Sequence, residues 1–179
     1  MSEPLFQSAL AHVETRELDG KWQLIFTRAF PNQIATVWRV ITAKEELPLW
    51  APFRPSRDLT DVGDITLTMI DGETETPLEC EVRTVEPPTL LEYTWDTDLL
   101  RWELVAQSEG TTVTLFHTME DRDWVPKVAA GWHICFDVVQ TILDGTPHDP
   151  IVGMDAMNHG WSELNVQYGE LLGIETTND

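Results

Sequence analysis

Positive charge is scarce in this chain. Of its 179 residues only 11 are Lys or Arg, three of them lysines (Lys21, Lys44 and Lys127), against 31 Asp or Glu. The formal net charge of −20 repels phosphate backbones and anionic headgroups alike, so no nucleic-acid and no membrane partner is expected. Long apolar runs are missing too. No uncharged apolar stretch approaches the ~20 residues of a membrane helix, and the opening MSEPLFQSAL has neither a basic region nor an apolar core of the secretory kind. A soluble, cytoplasmic protein is the expectation. Cysteine is limited to Cys80 and Cys135, too far apart for a CxxC motif and set among apolar neighbours, which reads as two buried thiols. Gly-rich phosphate loops, GxSxG elbows and HExxH helices do not occur. His148, Asp149, Asp155 and His159 cluster in TPHDPIVGMDAMNHG, but at no recognised ligand spacing, so neither a metal nor a cofactor is expected.

What remains is an ordinary globular composition, 42% hydrophobic and 23% charged, at a length suited to one domain. Residues 1–19 are polar and acidic with room for one short helix and read as an N-terminal extension; residues 20–179 read as the domain itself. In KWQLIFTRAF the residues Trp22, Leu24, Phe26 and Phe30 share one parity, the mark of a half-buried strand. Pro31 and Asn32 stop it, Ile34, Val37, Trp38 and Ile41 recur at helical spacing, and a second short helix is expected at about Ala43 to Trp50. Five more strand signals follow: Ile65 to Ile70, Leu78 to Val85, Leu90 to Trp95, Leu99 to Gln107 and Thr111 to Glu120. Turn chemistry at Asp71-Gly72, Pro87-Pro88, Asp96-Thr97-Asp98 and Glu109-Gly110 separates them, so an antiparallel meander is the economical topology. One face is apolar throughout, and the segment from Trp124 to Leu143 supplies the helix to cover it. Its apolar arc is wider than one sheet face can hide, so the closing helix, Trp161 to Leu172, is expected to pack on it as well.

This order resembles the α+β helix-grip fold of the START-like (SRPBCC, Bet v 1-like) superfamily, a curved antiparallel sheet of about six strands around a long C-terminal helix. FPNQIATVWRVIT with Leu47-Pro48-Leu49-Trp50, then ECEVRTVEPPTLLEYTW, GTTVTLFHT and GWHICFDVVQTILDG, are similar in that order to bacterial homologues of the Hsp90 ATPase activator. The resemblance runs from about Trp22 to the C-terminus and implies an apolar cavity between sheet and helix. Related branches bind lipids or hydrophobic natural products, and some act as cyclases. The chaperone role of the eukaryotic namesakes is not carried over, because only the single helix-grip domain is matched.

The residues that parity turns toward such a cavity are Met69, Tyr93, Trp95, Trp102, Leu104, Leu115 and His117 from the sheet, and Trp132 and Phe136 from the helix. The aromatic members can line a pocket or fill it. His117 is either a core histidine with its hydrogen bonds satisfied or a ligand contact. Arg28 shares the inward parity and could grip a ligand carboxylate in bidentate fashion or pair with one of the many acids. His133 and Asp137 lie four apart on a polar stripe and read as a solvated ion pair, worth a few tenths of a kcal/mol. The expected function is non-covalent binding of a small hydrophobic or aromatic molecule. Two alternatives stand beside it: a cofactor-free cyclase or hydrolase using His117 in the same cavity, and an interaction module or homodimer with a filled core. Residues 146–160, with Ile151, Val152, Met154 and Met157, could cross the cavity mouth as a lid or bridge the two helices.

Overall fold

A computed structural model describes residues 8–71 and 74–176. Eight strands form one antiparallel, curved sheet: β1 (His12–Leu18), β2 (Lys21–Phe30), β3 (Phe53–Pro55), β4 (Gly63–Asp71), β5 (Thr74–Glu86), β6 (Leu90–Trp95), β7 (Asp98–Gln107) and β8 (Gly110–Met119). Their order is β1-β2-β8-β7-β6-β5-β4-β3, so the meander β4 to β8 curls back to pair β8 with β2. Between strands lie α1 (Ile34–Thr42) and a single 3-10 turn at Leu47–Leu49 in place of the expected second helix. The long α2 (Val125–Leu143) and the closing α3 (Trp161–Leu172) complete the helix-grip arrangement.

Register explains the core. Trp102 stands opposite Leu115, which on its other side stands opposite Phe26, and His117 is likewise flanked by Leu100 and Leu24. One parity of three adjacent strands thus forms a continuous apolar surface, and α2 lies on it with residues from Val125 to Val139 buried. Because α3 packs on its other side, α2 is buried nearly all round, as the width of its apolar arc requires. At the β7-β8 turn Gly110 has φ +147, and a Cβ there would come within 2.0 Å of the Phe30 carbonyl oxygen. Only glycine fits that approach.

Two strands exceed the six that the pattern implied. Residues 12–18, expected as part of an extension with a short helix, form β1 and pair along their whole length with β2. The strand is mostly exposed, so its alternation carries little hydrophobic signal. β3 is three residues long, too short for periodicity, yet Phe53 is fully buried against Tyr93 and Trp95. Gly72, part of an expected turn, lies outside the described residues.

Candidate functional site

The centre of the concave face is filled with rings. Trp102 meets Trp132 edge to face at 5.7 Å, stacks on Phe136 at 5.7 Å and meets Trp50 at 5.9 Å. Tyr93, Leu104 and Leu115 are buried around this cluster, and the Tyr93 hydroxyl is pushed up from its ordinary value by burial. Trp50 belongs to the same cluster although its short 3-10 turn gave no facing information; its indole N–H donates to the Val40 carbonyl at 2.9 Å.

Open space lies at the end of the sheet near the start of α2. A hollow of about 700 Å³ is bounded by Met69, Thr74, Thr76, Leu78, Trp95, Asp96, Thr97, Asp98, Met119, Glu120, Asp121, Trp124 and Val128. A second, of about 210 Å³, is bounded by Pro52, Trp95, Val128, Gly131, Trp132, Cys135, Ile151, Val152, Ala156 and Trp161. Trp95 and Val128 are common to both, so the two are neighbouring lobes on either side of that pair. The Trp95 indole N–H points at the Met69 sulfur, 2.9 Å away, which holds two walls of the larger lobe together.

Of the residues expected around a cavity, Met69, Trp95 and Trp132 border these lobes. Tyr93, Trp102, Leu104, Leu115, His117 and Phe136 lie behind them in the packed core, and Arg28 stands apart from both. Parity correctly reports which face a side chain takes; whether facing side chains touch each other depends on the curvature of the sheet. The lobe residues Leu78, Trp124 and Val128 were legible as apolar, but nothing in the pattern marked them as neighbours of a hollow. Ile151 and Val152 do border the smaller lobe, beside a 3-10 helix at Gly153–His159, while the Met154 side chain lies outside the described set.

Two buried polar relays flank the rings. In the first, the Trp132 indole N–H donates to His117 Nδ1 at 3.0 Å. An indole nitrogen can only donate, so the His117 proton sits on Nε2, which donates to Asp98 Oδ2 at 2.7 Å. His117 is 1% exposed, whereas Asp98 forms part of the wall of the larger lobe. In the second, Asp137 Oδ1 accepts from Ser8 Oγ and from Arg28, each at 2.7 Å. His133 joins this group through Ser8 Oγ at 2.8 Å and the Tyr168 hydroxyl at 2.7 Å, and that hydroxyl accepts the Ala11 N–H. His133 and Asp137 are each 3% exposed, so the expected solvated pair is instead buried, because α3 and residues 8–11 cover that stripe of α2. Burial alone would raise the Asp137 carboxyl, but hydrogen bonds from His133, Ser8 and Arg28 outweigh it and hold the group below its ordinary value. Burial raises the Tyr168 hydroxyl to about 12.

Both thiols are free and buried. Cys135, on the wall of the smaller lobe, is pushed up to about 12 by burial, and burial raises Cys80 as well. Among the described residues no group of three or more His, Cys, Asp or Glu is placed to hold a metal ion. Among the described residues no helix is long and apolar enough to cross a membrane.

Residues 31–144 match the model of the activator of Hsp90 ATPase homolog 1-like family. The chain belongs to this family. Its fold generally binds hydrophobic ligands. No curated protein sequence matches the chain. Among solved structures, CalU16 from Micromonospora echinospora is 17% identical, covers 93% of this chain and 97% of its own, and superposes with a TM-score of 0.69. A conserved protein of unknown function from Enterococcus faecalis is 18% identical over 92% of both chains, with a TM-score of 0.66. DynU16, from the dynemicin biosynthetic locus, is 20% identical over 72% of this chain and 50% of its own, with a TM-score of 0.60. At these identities the likeness bears on the fold alone.

Proposed function

We propose that this family member binds a small hydrophobic molecule non-covalently in the larger lobe, with the smaller lobe taking an extension of the same ligand. The observation that carries this reading is the composition of the larger lobe's wall: Met69, Leu78, Trp95, Met119, Trp124 and Val128 present apolar surface around a volume typical of ligand sites. Trp124, 55% exposed, adds its ring to this apolar surface. Binding is preferred to acid-base catalysis because His117 has both ring nitrogens engaged inside the protein and so serves as an anchor for Asp98.

The test uses N-phenyl-naphthylamine, a neutral probe whose fluorescence rises in apolar surroundings. Saturable binding at one probe per chain is expected. Val128→Trp, which fills the junction of the lobes, should abolish it, and Gly131→Leu should weaken it, since a Cβ at Gly131 meets no atom within 4 Å. Non-saturable binding, or filled variants that bind as well as the parent, would overturn the reading.

A further inference from the structure

The charged side chains that border the larger lobe are acidic, although Lys21 and Lys127 lie against two of its border residues, Glu120 and Trp124. Among the described residues the lobe's border includes Asp96, Asp98, Glu120 and Asp121, but no Lys, Arg or His. We infer that the ligand of this lobe carries a positive charge beside its apolar body, an organic ammonium or similar cation, and that hydrophobic carboxylates are rejected; this rests on the binding reading above.

The four acids are not equivalent. Glu120 is paired at 3.1 Å with Lys21, and Asp121 uses Oδ1 to accept the Asp123 N–H. Asp98 differs because its orientation is set from behind, through the fully buried His117 to Trp132. That relay fixes a carboxylate at the boundary between core and hollow, where apolar walls leave a charge less screened than it would be on the open surface. A ligand anion placed there would face Asp98 across a partly desolvated space, whereas a cation would gain from the same geometry. The rings point the same way. At the rim, Lys127 Nζ lies 4.8 Å from the centroid of Trp124, so the protein's own ammonium already uses one of the aromatic surfaces that border the lobe. Trp95, at the end of β6, contributes a second indole to the same wall.

Three probes of equal chain length separate this inference from the reading beneath it: decanol, decyltrimethylammonium and decanoate, each displacing N-phenyl-naphthylamine at physiological ionic strength. The cation should bind about tenfold or more tightly than the carboxylate, with the alcohol between them. Asp98→Asn keeps an acceptor for His117 Nε2 while removing the charge, and should cut the ratio of cation to carboxylate affinity severalfold. Glu109→Gln, the same charge change in the β7-β8 turn at the far end of those strands, should leave the preference unaltered. That control separates a local effect from the overall charge of −20. Equal binding of cation and carboxylate, or a preference that survives Asp98→Asn or falls equally in Glu109→Gln, overturns the inference while leaving hydrophobic binding intact. Failure of both decanol and the fluorescent probe to bind removes the binding reading and the inference with it.

Discussion

Two buried histidines, His117 on β8 and His133 on α2, make a comparison within one molecule. His133 is enclosed by Ser8, Asp137 and Tyr168, and Asp137 in turn holds Arg28 through Oδ1, so the hydrogen bonds of that network run between protein groups, with Asp137 Oδ2 left buried beside His133. His117 also has both nitrogens satisfied, but its chain of bonds runs outward and stops at a carboxylate that borders open space. The same chemistry therefore does two jobs. A closed network ties residues 8–11 and α3 to the long helix, whereas an open one sets the charge of a cavity wall.

Breaking the closed network should cost most. Asp137→Ala strands the Arg28 guanidinium and the Ser8 hydroxyl beside a buried vacancy, and a loss of roughly 3–5 kcal/mol is expected in urea unfolding. A loss below about 1 kcal/mol would show that water replaces the carboxylate. The pH dependence follows from the same group. Its folded value lies below the ordinary 3.8, so its stabilisation is fully present above about 3.8 and disappears as pH falls through the folded value. Asp137→Asn should accordingly show a flatter dependence of Tm on pH in that acid window than the parent.

Opening the other relay should cost less. Trp132→Phe keeps a ring in the cluster but removes the donor to His117 Nδ1, for an expected loss of about 1–2 kcal/mol. If the relay orients Asp98, that variant should also reduce the ammonium preference while decanol binding persists. Gly131→Ala should move stability the other way, by up to about 1 kcal/mol, because the position is helical and its Cβ enters open space. The smallest effect is confined to residues 146–160. Amide exchange there should slow when N-phenyl-naphthylamine is bound, since Ile151 and Val152 border the smaller lobe; unchanged slow exchange would identify a fixed bridge.

Much of the fold was legible because its signals are local. The alternation in β7 and β8, the turn residues between them and the helical period from Val125 onward depend only on neighbours along the chain. β1 was not legible, for it is an edge strand with little burial whose reason to be extended is the hydrogen-bonding edge of β2. Nor was the burial of His133 and Asp137, since a polar stripe looks the same whether water or a second layer covers it. Residues from opposite ends of the chain, Ser8 and Tyr168, decide that question.

The sequence by itself determined the facing of each strand and helix, because side-chain direction follows backbone periodicity. It determined the acidity of the molecule and the supply of large rings as well. The tertiary structure alone decided which inward rings touch one another and which stop short. Trp102 and Phe136 close the centre, while Trp95 and Trp132 border space. That division depends on where the curved sheet and the long helix diverge, a distance set by the whole assembly of strands and encoded at no single position.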